Sequence, residues 1–329
     1  MLQKLVMRIL ALLGIVVVLL GLFVYYAYSR PALPSTPYTF TIKSGSSVAS
    51  AARQLQEAHV IQHERLFVIL VRIMGQSARI KSGRYTLEHA ISPRELVTLL
   101  ARGASTQRQI TAIEGWTFRQ FRAVLNASPD LKHDSLALTD AELLLRIGAE
   151  YDYPEGLFFP DTYAFEAGSS DLAVLKRAYQ TMQKRLQTAW DNRDPDLPLQ
   201  TPYQALILAS IVEKETGAAR DRDMIAGVFT NRLRHGMRLQ TDPSVIYGLG
   251  PNFDGNLRKV DLLTDTIYNT YTRAGLTPTP ISLPGAAALQ AALHPAPTTA
   301  VYFVARGDGS SEFSSNLAEH NRAVNRFQK

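Results

Sequence analysis

The sequence predicts an α+β protein: an N-terminal transmembrane helix, a small α+β module, and a larger, mainly helical domain with short strands. Three observations support this prediction. An uncharged apolar run stands near the N-terminus, strand–turn–helix patterns recur over residues 38–125, and helical periodicities follow residue 170. With 329 residues, of which 46% are hydrophobic, the chain can form more than one domain with its own core.

The apolar run predicts a membrane anchor over residues 9–29. These 21 residues carry no charge, and a helix of that length crosses a hydrocarbon core of roughly 30 Å. Lys4 and Arg8 precede the run, and three tyrosines end it. The positive-inside rule therefore predicts a cytoplasmic segment at residues 1–8, with the rest of the chain across the membrane. A cleaved signal peptide is the alternative, but the run is long for one and no small-residue cleavage site follows.

A proline-rich linker is predicted at residues 30–37, where three prolines favour a semi-rigid spacer that holds the folded part off the membrane. The module is predicted over residues 38–107. Its expected strands and helices are 38–42, 48–55, 66–74, 83–87 and 92–102, the last with a Ser-Pro-Arg-Glu capping box.

The second domain is predicted over residues 108–329. Its expected elements are a strand at 109–113, helices at 117–125, 171–190 and 203–212, a strand at 302–304 and a closing helix at 316–327. The helix at 203–212 is apolar nearly all round, which predicts burial. Residues 241–297 are rich in turn residues, and Asp242 before Pro243 is expected to form a turn.

Composition excludes several classes of protein. Without cysteine there is no disulfide framework, thiol nucleophile or cysteine-ligated metal. The seven histidines are scattered, and the motifs of zinc proteases, serine hydrolases and nucleotide-binding loops are absent, so we expect no cofactor and no metal. After residue 30 there are 32 basic and 29 acidic residues, a net charge of +3 that does not favour a nucleic-acid partner.

The buried helix runs into Glu213 and Glu215. Carboxylates there are disfavoured by burial and by the negative end of the helix dipole, and both effects raise a carboxyl pKa towards that of a general acid. Two residues apart on a helix, the side chains point about 200° from one another. The helix therefore supplies at most one acid to a cleft, and a solvated helix end is the alternative interpretation.

A series of ordered motifs resembles the YceG-like family of endolytic murein transglycosylases. The longest are EGLFFPDTY at 155–163, LASIVEKET at 208–216, VFTNRL at 228–233, GMRLQTDPSVIYG at 236–248 and YNTY at 268–271. Shorter matches continue to His320-Asn321, so the resemblance covers nearly the whole chain. One departure is Thr277-Pro278, where the family usually has two prolines, which would loosen a loop.

The resemblance implies a LysM-like module at 38–107 and a catalytic domain at 108–329 with a lysozyme-like, lytic-transglycosylase-like fold. It implies a single-pass inner-membrane protein whose catalytic domain is periplasmic. The reaction would cut the β-1,4 bond between N-acetylmuramic acid and N-acetylglucosamine within nascent peptidoglycan strands, leaving 1,6-anhydro-muramic ends and limiting strand length. Peptidoglycan synthases, the penicillin-binding proteins, would be partners.

By the same resemblance Glu215 is the acid/base, because Glu215-Thr216 matches the Glu-Ser pair of other lytic transglycosylases. Glu213 would be structural, near Arg220 or Arg222. The expected substrate-binding residues are Gln240, Thr241, Asp242, Ser244, Tyr247, Asn269 and Tyr271. We expect Asp161, His294 and His320 to be structural. Two rivals remain: a catalytically silent glycan-binding scaffold for a synthase, and a muramidase that uses water and a facing carboxylate, for which Asp161 and Asp242 are the candidates.

Overall fold

The computed structural model describes residues 2–31, 33, 35–103, 108–216 and 218–328. Residues 32 and 34 of the expected linker, and 104–107 at the expected end of the module, lie outside that description. The chain divides into two compact units, Met1–Arg108 with Ala164–Gly168, and Gln109–Tyr163 with Ser169–Lys329.

The first unit holds four helices and one antiparallel strand pair among its described residues. Its elements in chain order are α1 (Leu2–Tyr28), β1 (Tyr38–Ile42), α2 (Val48–Glu57), α3 (Glu64–Ile73), β2 (Gly83–Leu87) and α4 (Pro93–Arg102). Tyr38 faces Leu87 across the strand pair. The Phe40 ring stacks on the buried Tyr85 ring, with 5.4 Å between centroids. The predicted capping box at Ser92 is present and begins α4.

α1 is the element that could cross a membrane, and its apolar window runs over Leu10–Tyr28. Its last turns pack into the first unit rather than standing apart from it. Ala27 is only 5% exposed and belongs to the unit's core, against which Phe23 and Leu33 also pack. The Tyr26 hydroxyl donates to the carbonyl of His63 at 3.2 Å. The linker therefore does not separate the helix from the module, because hydrophobic contacts join them.

The rest of the chain is mainly helical. Its elements are β3 (Arg108–Thr111), α5 (Phe118–Ala127), α6 (Asp140–Ile147), β4 (Thr162–Phe165), α7 (Asp171–Asp191), α8 (Pro202–Glu215), α9 (Arg222–Arg234), α10 (Asp242–Leu249), α11 (Lys259–Leu263), α12 (Ala286–Leu293), β5 (Tyr302–Ala305), β6 (Ser311–Ser314) and α13 (Leu317–Phe327). β3 pairs with β4, and β5 pairs with β6 in antiparallel register.

α8 lies at the centre of the second unit. Thr201 caps it, with Pro202 in the first turn, and the helix is buried from Ala205 to Val212. Both α9 and α12 pack on it. Ser210 ties α8 to the segment before α12, since its hydroxyl accepts from the backbone N–H of Ile281 at 3.0 Å. The predicted buried helix is confirmed, and it carries Glu215 at its last residue.

One local prediction is wrong. Asp242 is not in a turn but is the first residue of α10, with Thr241 at the N-cap and Pro243 in the first turn. Proline is well accommodated at the start of a helix, where its missing N–H would be unpaired in any case. The region rich in turn residues also contains α11 and α12.

Candidate active site

The end of α8 directs its two glutamates to different surroundings. The helix stops at Thr216, whose hydroxyl donates to the carbonyl of Val212 at 2.7 Å and so satisfies one free carbonyl of the last turn. Glu213 Oε2 accepts from the backbone N–H of Gly285 at 2.9 Å. Glu215 Oε1 accepts from the hydroxyl of Thr241. The expected separation of the two carboxyl groups is confirmed.

Glu213 is held by backbone rather than by an ion pair with a nearby arginine. Its partner, Gly285, is the N-cap residue of α12, so the carboxyl group faces the positive end of that helix. Burial raises the pKa of Glu213, the hydrogen bond from Gly285 opposes this, and Glu114 raises it further. Arg222 acts on it only through its charge, while Arg220 lies 3.9 Å from Asp221.

Glu215 is partly buried, and its pKa is raised from the ordinary carboxyl value. Burial is the main cause, and the negative charge of Asp242 adds to it. The hydrogen bond from Thr241 and the positive charge of Arg232 oppose it, because both stabilise the carboxylate. The site thus favours a protonated acid yet can also hold the ionised form.

Arg232 supplies the positive charge near Glu215, and it was not among the site residues expected from the sequence. It is 7% exposed, and its guanidinium lies over the ring of Tyr302. Nε donates to the carbonyl of Val301 at 2.6 Å, and Nη1 donates to the carbonyl of Leu239 at 2.7 Å. Its hydrogen bonds fix both the segment before α10 and the start of β5. Arg232 lies within the motif VFTNRL at 228–233, and this motif was the sequence signal that could have pointed to it.

The segment before α10 fixes the hydroxyl that faces Glu215. Gln240 has φ +51°, an unusual left-handed conformation, and its N–H donates to the carbonyl of Thr270 at 3.1 Å. The N–H of Thr241 donates to the hydroxyl of Thr270 at 3.0 Å. Ser244 donates to the carbonyl of Thr241 at 2.9 Å. Thr270, also not singled out from sequence, therefore anchors this segment.

Asp242 and Tyr271 form the polar pair next to Glu215. The Tyr271 hydroxyl donates to Asp242 Oδ1 at 2.5 Å. Burial, and then this bond, raises the pKa of Tyr271 above its usual range. Because the phenol stays protonated, it remains a hydrogen-bond donor to the carboxylate.

Two expected substrate-binding residues lie beneath the surface. Ser244 has no exposed area and bonds to Thr241 and Thr270. Asn269 is also buried, and its Nδ2 donates to the carbonyls of Asp261, Leu262 and Thr264. Its Oδ1 accepts from the N–H of Tyr271 at 2.8 Å. Their polar groups hold backbone segments of the site in place.

Tyr247 has different neighbours from the other predicted residues. Its ring meets that of Tyr268 edge-on at 5.0 Å, and its side chain bonds to Glu155. Glu155 is buried, and Oε1 accepts from the N–H of Phe118, the first residue of α5, at 2.9 Å. Burial raises the pKa of Glu155 to about 7. The motif EGLFFPDTY contained this residue, but nothing local marked it as buried.

The remaining candidates have structural surroundings. Asp161 is exposed and accepts from the N–H of Thr162 at 2.7 Å. His294 Nδ1 lies 2.8 Å from Asp194, and His320 stacks on Tyr302. Thr277 is buried and donates to the carbonyl of Thr279 at 2.8 Å, so a hydrogen bond restrains the loop where a proline was missing. In the part of the chain that the structure describes, no three side chains group as metal ligands.

The sequence model of the YceG-like family matches residues 40–326. The chain belongs to the YceG-like family. A crystal structure of a YceG-like protein from Listeria monocytogenes has 30% identity and a TM-score of 0.57, covering 86% of this chain and 97% of that one.

Two relatives of this YceG-like chain carry a functional name. The endolytic murein transglycosylase of Bacillus subtilis (strain 168) is 32% identical over 310 residues, which are 89% of this chain and 85% of the relative. The endolytic murein transglycosylase of Streptococcus pneumoniae serotype 2 (strain D39) is 28% identical over 321 residues. These cover 87% of this chain and 57% of the pneumococcal protein, so the chain spans a little over half of that relative.

Proposed function

We propose that this protein is a membrane-anchored endolytic murein transglycosylase in which Glu215 is the acid/base. The observation that carries the proposal is one carboxyl group, at the end of a buried helix, whose pKa is raised and whose oxygen is held by Thr241. A general acid needs a pKa near the working pH. Membership of the YceG-like family and the names of the relatives support the same activity.

The reaction needs one group that works twice. Protonated Glu215 gives its proton to the glycosidic oxygen, the bond from that oxygen to C1 of muramic acid breaks, and positive charge develops at C1. The Glu215 carboxylate then takes the proton of the C6 hydroxyl, whose oxygen closes on C1. The product is a 1,6-anhydro end, no water is consumed, and Glu215 returns to its protonated form. Arg232 supports the carboxylate stage through its charge.

Asp242 is suited to stabilise the positive charge that develops at C1. Its carboxylate acts electrostatically on Glu215 and is held by the hydroxyl of Tyr271. Gln240 and Tyr271 add amide and phenol groups that suit sugar hydroxyls and N-acetyl groups. Asn269 and Ser244 act indirectly, by holding Tyr271 and Thr241 in place.

The same carboxylate makes hydrolysis the second candidate. Glycosidases that use water need a second carboxyl group near the acid. Asp161 is directed into its own turn, but the charge of Asp242 reaches Glu215. A muramidase reaction would use Asp242 to activate water. The products of the two reactions differ, so the test below separates them.

We also propose the identity of the two domains and the orientation of the chain in the membrane. Residues 38–107 form a LysM-like glycan-binding module, and residues 108–329 form a catalytic domain of the lytic-transglycosylase type. The N-terminus is cytoplasmic, α1 crosses the inner membrane, and the catalytic domain is periplasmic, as the charges of Lys4 and Arg8 favour. Nascent peptidoglycan strands are the substrate. Peptidoglycan synthases are the partners, since they make those strands.

The test is mass spectrometry of uncrosslinked glycan strands digested by the full chain in detergent micelles. We expect internal cleavage with muramic ends lighter by one water, and loss of at least about 10²-fold in rate for Glu215→Gln, as for other positioned acid/base groups. Reducing ends in place of anhydro ends would establish the muramidase. Binding of strands without any cleavage would establish the silent scaffold.

Glu213→Gln is the matched control. The amide oxygen of glutamine can still accept from Gly285, so we expect substantial activity. Equal loss of activity in the two variants would contradict the assignment of Glu215 as the acid/base.

A further inference from the structure

The end of the membrane helix is covered by the folded part of the first unit. Ala27 is in the unit's core, and Phe23 packs against the same core. Phe23 lies five residues before Tyr28, which is about 8 Å along a helix axis. The module therefore covers α1 from its C-terminal end back to Phe23, a distance of about 8 Å along the helix towards the middle of the membrane.

The length of the apolar helix leaves little room to lift the module out of the membrane surface. The apolar window Leu10–Tyr28 has 19 residues, or about 28 Å of helix, close to the roughly 30 Å of a hydrocarbon core. If bilayer lipid ended below Phe23, the remaining stretch would span only about 20 Å. Such a mismatch is unfavourable. The part of the module beside Phe23 and Ala27 therefore lies at the level of the lipid headgroups.

α3 begins at this level. It starts one residue after His63, whose carbonyl accepts from Tyr26 and whose ring lies 6.1 Å from the Tyr26 ring. The inner face of α3 is buried through Phe67, Leu70 and Val71.

The outer face of α3 consists of Arg65, Ile69, Arg72 and Ile73, and all four side chains are exposed. Ile69 is 45% exposed and Ile73 is 69% exposed. Neither arginine has an ion-pair partner within the described part of the chain, and the one acid of α3, Glu64, lies 3.9 Å from Arg53. Aliphatic and cationic side chains on one helical face are typical of helices that lie in a membrane interface.

We propose that the outer face of α3 rests on the outer surface of the membrane that α1 crosses and binds anionic phospholipid headgroups there. The two isoleucines enter the boundary between headgroups and acyl chains. The two guanidinium groups stay at the level of the phosphates, which they can bind with paired N–H donors. The observations that favour lipid over a protein partner are the contact of His63, at the start of α3, with Tyr26 of the membrane helix, and the charge of the face, which is complementary to anionic lipid.

The first test places a fluorophore on this face of the full chain. The protein has no cysteine, so Ile73→Cys creates one labelling site, and Ser44→Cys, in the exposed turn after β1, gives a matched site off α3. Both are labelled and reconstituted in vesicles of 70% phosphatidylcholine and 30% phosphatidylglycerol. We expect lipids that carry a nitroxide to quench the label at residue 73 at least threefold more strongly than the label at residue 44. Equal lipid quenching at both sites, or protection of residue 73 from both lipid and aqueous quenchers, as under a second protein copy, would overturn the proposal.

The second test concerns the charges. In the labelled Ile73→Cys chain, Arg65→Gln with Arg72→Gln removes both arginines of the face, and Arg79→Gln with Arg84→Gln removes two other exposed arginines of the same unit. Replacing phosphatidylglycerol by phosphatidylcholine should reduce lipid quenching at least twofold in the parent and in the Arg79/Arg84 variant. It should have no effect in the Arg65/Arg72 variant. If the lipid change reduces quenching in that variant as much as in the parent, headgroup binding by α3 is excluded.

Discussion

Glu215 is balanced between its protonated and ionised forms by burial and by three neighbours of opposite effect. Burial and Asp242 raise its pKa, while Thr241 and Arg232 lower it. A group that first donates and then accepts a proton needs both forms within reach. The balance also means that single substitutions should move the pKa in directions that the structure specifies.

The first prediction concerns the pH dependence of kcat/KM. In the proposed mechanism the reaction starts from protonated Glu215, so we expect activity to be lost as the pH rises through its pKa. Thr241→Val removes a bond that stabilises the carboxylate, which should move this loss to higher pH. Asp242→Asn removes a negative charge, which should move it to lower pH.

Measurement of kcat/KM across the pH range for the parent and both variants checks this prediction. Shifts in the same direction for both variants would show that the loss of activity at high pH is not caused by ionisation of Glu215. The control is Ser128→Ala, at the end of α5 and far from Glu215 in sequence. It should not change the pH at which activity is lost.

Sequence could predict part of this site at the residue scale. The spacing of Glu213 and Glu215 on a helix sufficed to separate them, because helix geometry is local. It could not identify Arg232, Thr270 or Glu155 as partners, because their contacts reach distant positions. Arg232 bonds to Val301, 69 positions away, Thr270 to Thr241, 29 positions away, and Glu155 to Tyr247, 92 positions away. Nor could it distinguish exposed Asp242 from buried Ser244, since burial of a polar group depends on what packs over it.

At the scale of elements, α10 is held at both ends. Thr241 and Asp242 lie at its start beside Glu215, and Tyr247 near its end bonds to Glu155, which in turn accepts from the start of α5. The positive charge of Arg119 also acts on Glu155, where it lowers the pKa, and the charge of Glu155 in turn helps to raise the pKa of Tyr203. α10 therefore links Glu215, the proposed acid/base, to the buried carboxyl group of Glu155.

The second prediction is a pH-dependent stability that Glu155 causes. Its pKa is about 7 in the folded protein and 4.5 in the ordinary state, so the folded state keeps a proton that the unfolded chain releases in between. Stability should therefore fall as the pH rises from about 5 to 7, by roughly 3 kcal/mol in total. In Glu155→Gln this loss should disappear.

Urea unfolding of the full chain at pH 5 and pH 8 checks this, followed by tryptophan fluorescence. Both tryptophans, Trp116 and Trp190, belong to the second unit, so the signal reports the unit that contains Glu155. If the stability difference between variant and parent is the same at both pH values, Glu155 does not titrate in this range.

The third prediction concerns the contact of α9 with the segment after α12. A Cβ atom on Gly227 would lie 2.7 Å from the backbone oxygen of Ala296 and 2.8 Å from the side chain of Thr298. Alanine favours a helix by about 1 kcal/mol over glycine. Overpacking should exceed this gain, so we expect Gly227→Ala to destabilise the second unit by about 1–3 kcal/mol. The same fluorescence experiment measures it, and a neutral or stabilising effect would contradict this account of the contact.

The elements that sequence predicted are those with local signals. The cap at Thr201 and the apolar run after it identified α8, and Ser92 with Glu95 identified α4. β6 has one apolar residue among its four, Phe313, and so shows no alternation, and β4 was also not predicted. α12 is rich in alanine and is surrounded by turn residues, and its helix forms because it packs on α8.

At the scale of the whole molecule, α1 is part of a hydrophobic core as well as an anchor. Its last turns contribute Phe23 and Ala27 to the core of the first unit. The apolar sequence alone predicted the span, but it could not show that one side of the span's end is covered by Leu96, Val97 and other core residues from later in the chain.

The fourth prediction follows from this shared core. Removing residues 1–30 should expose the core of the first unit and speed amide hydrogen exchange in β1, β2 and α4 by about tenfold or more, since each 1.4 kcal/mol of lost local stability gives a factor of ten. Hydrogen-exchange mass spectrometry compares the truncated chain with the full chain in micelles. Peptides from α8 serve as the internal control and should not change. Unchanged exchange in α4 would mean that α1 contributes nothing to that core.

The sharing of Phe23 and Ala27 also sets the order of events during biogenesis. While α1 is enclosed by a translocation channel, the face that carries these residues is not available to the rest of the chain. β1 and β2 can pair only after residue 87 has emerged, but their core is incomplete until α1 leaves the channel sideways into lipid. Release of the anchor and completion of the module therefore become one step, so that a chain whose anchor is not released keeps an incomplete core in its first unit.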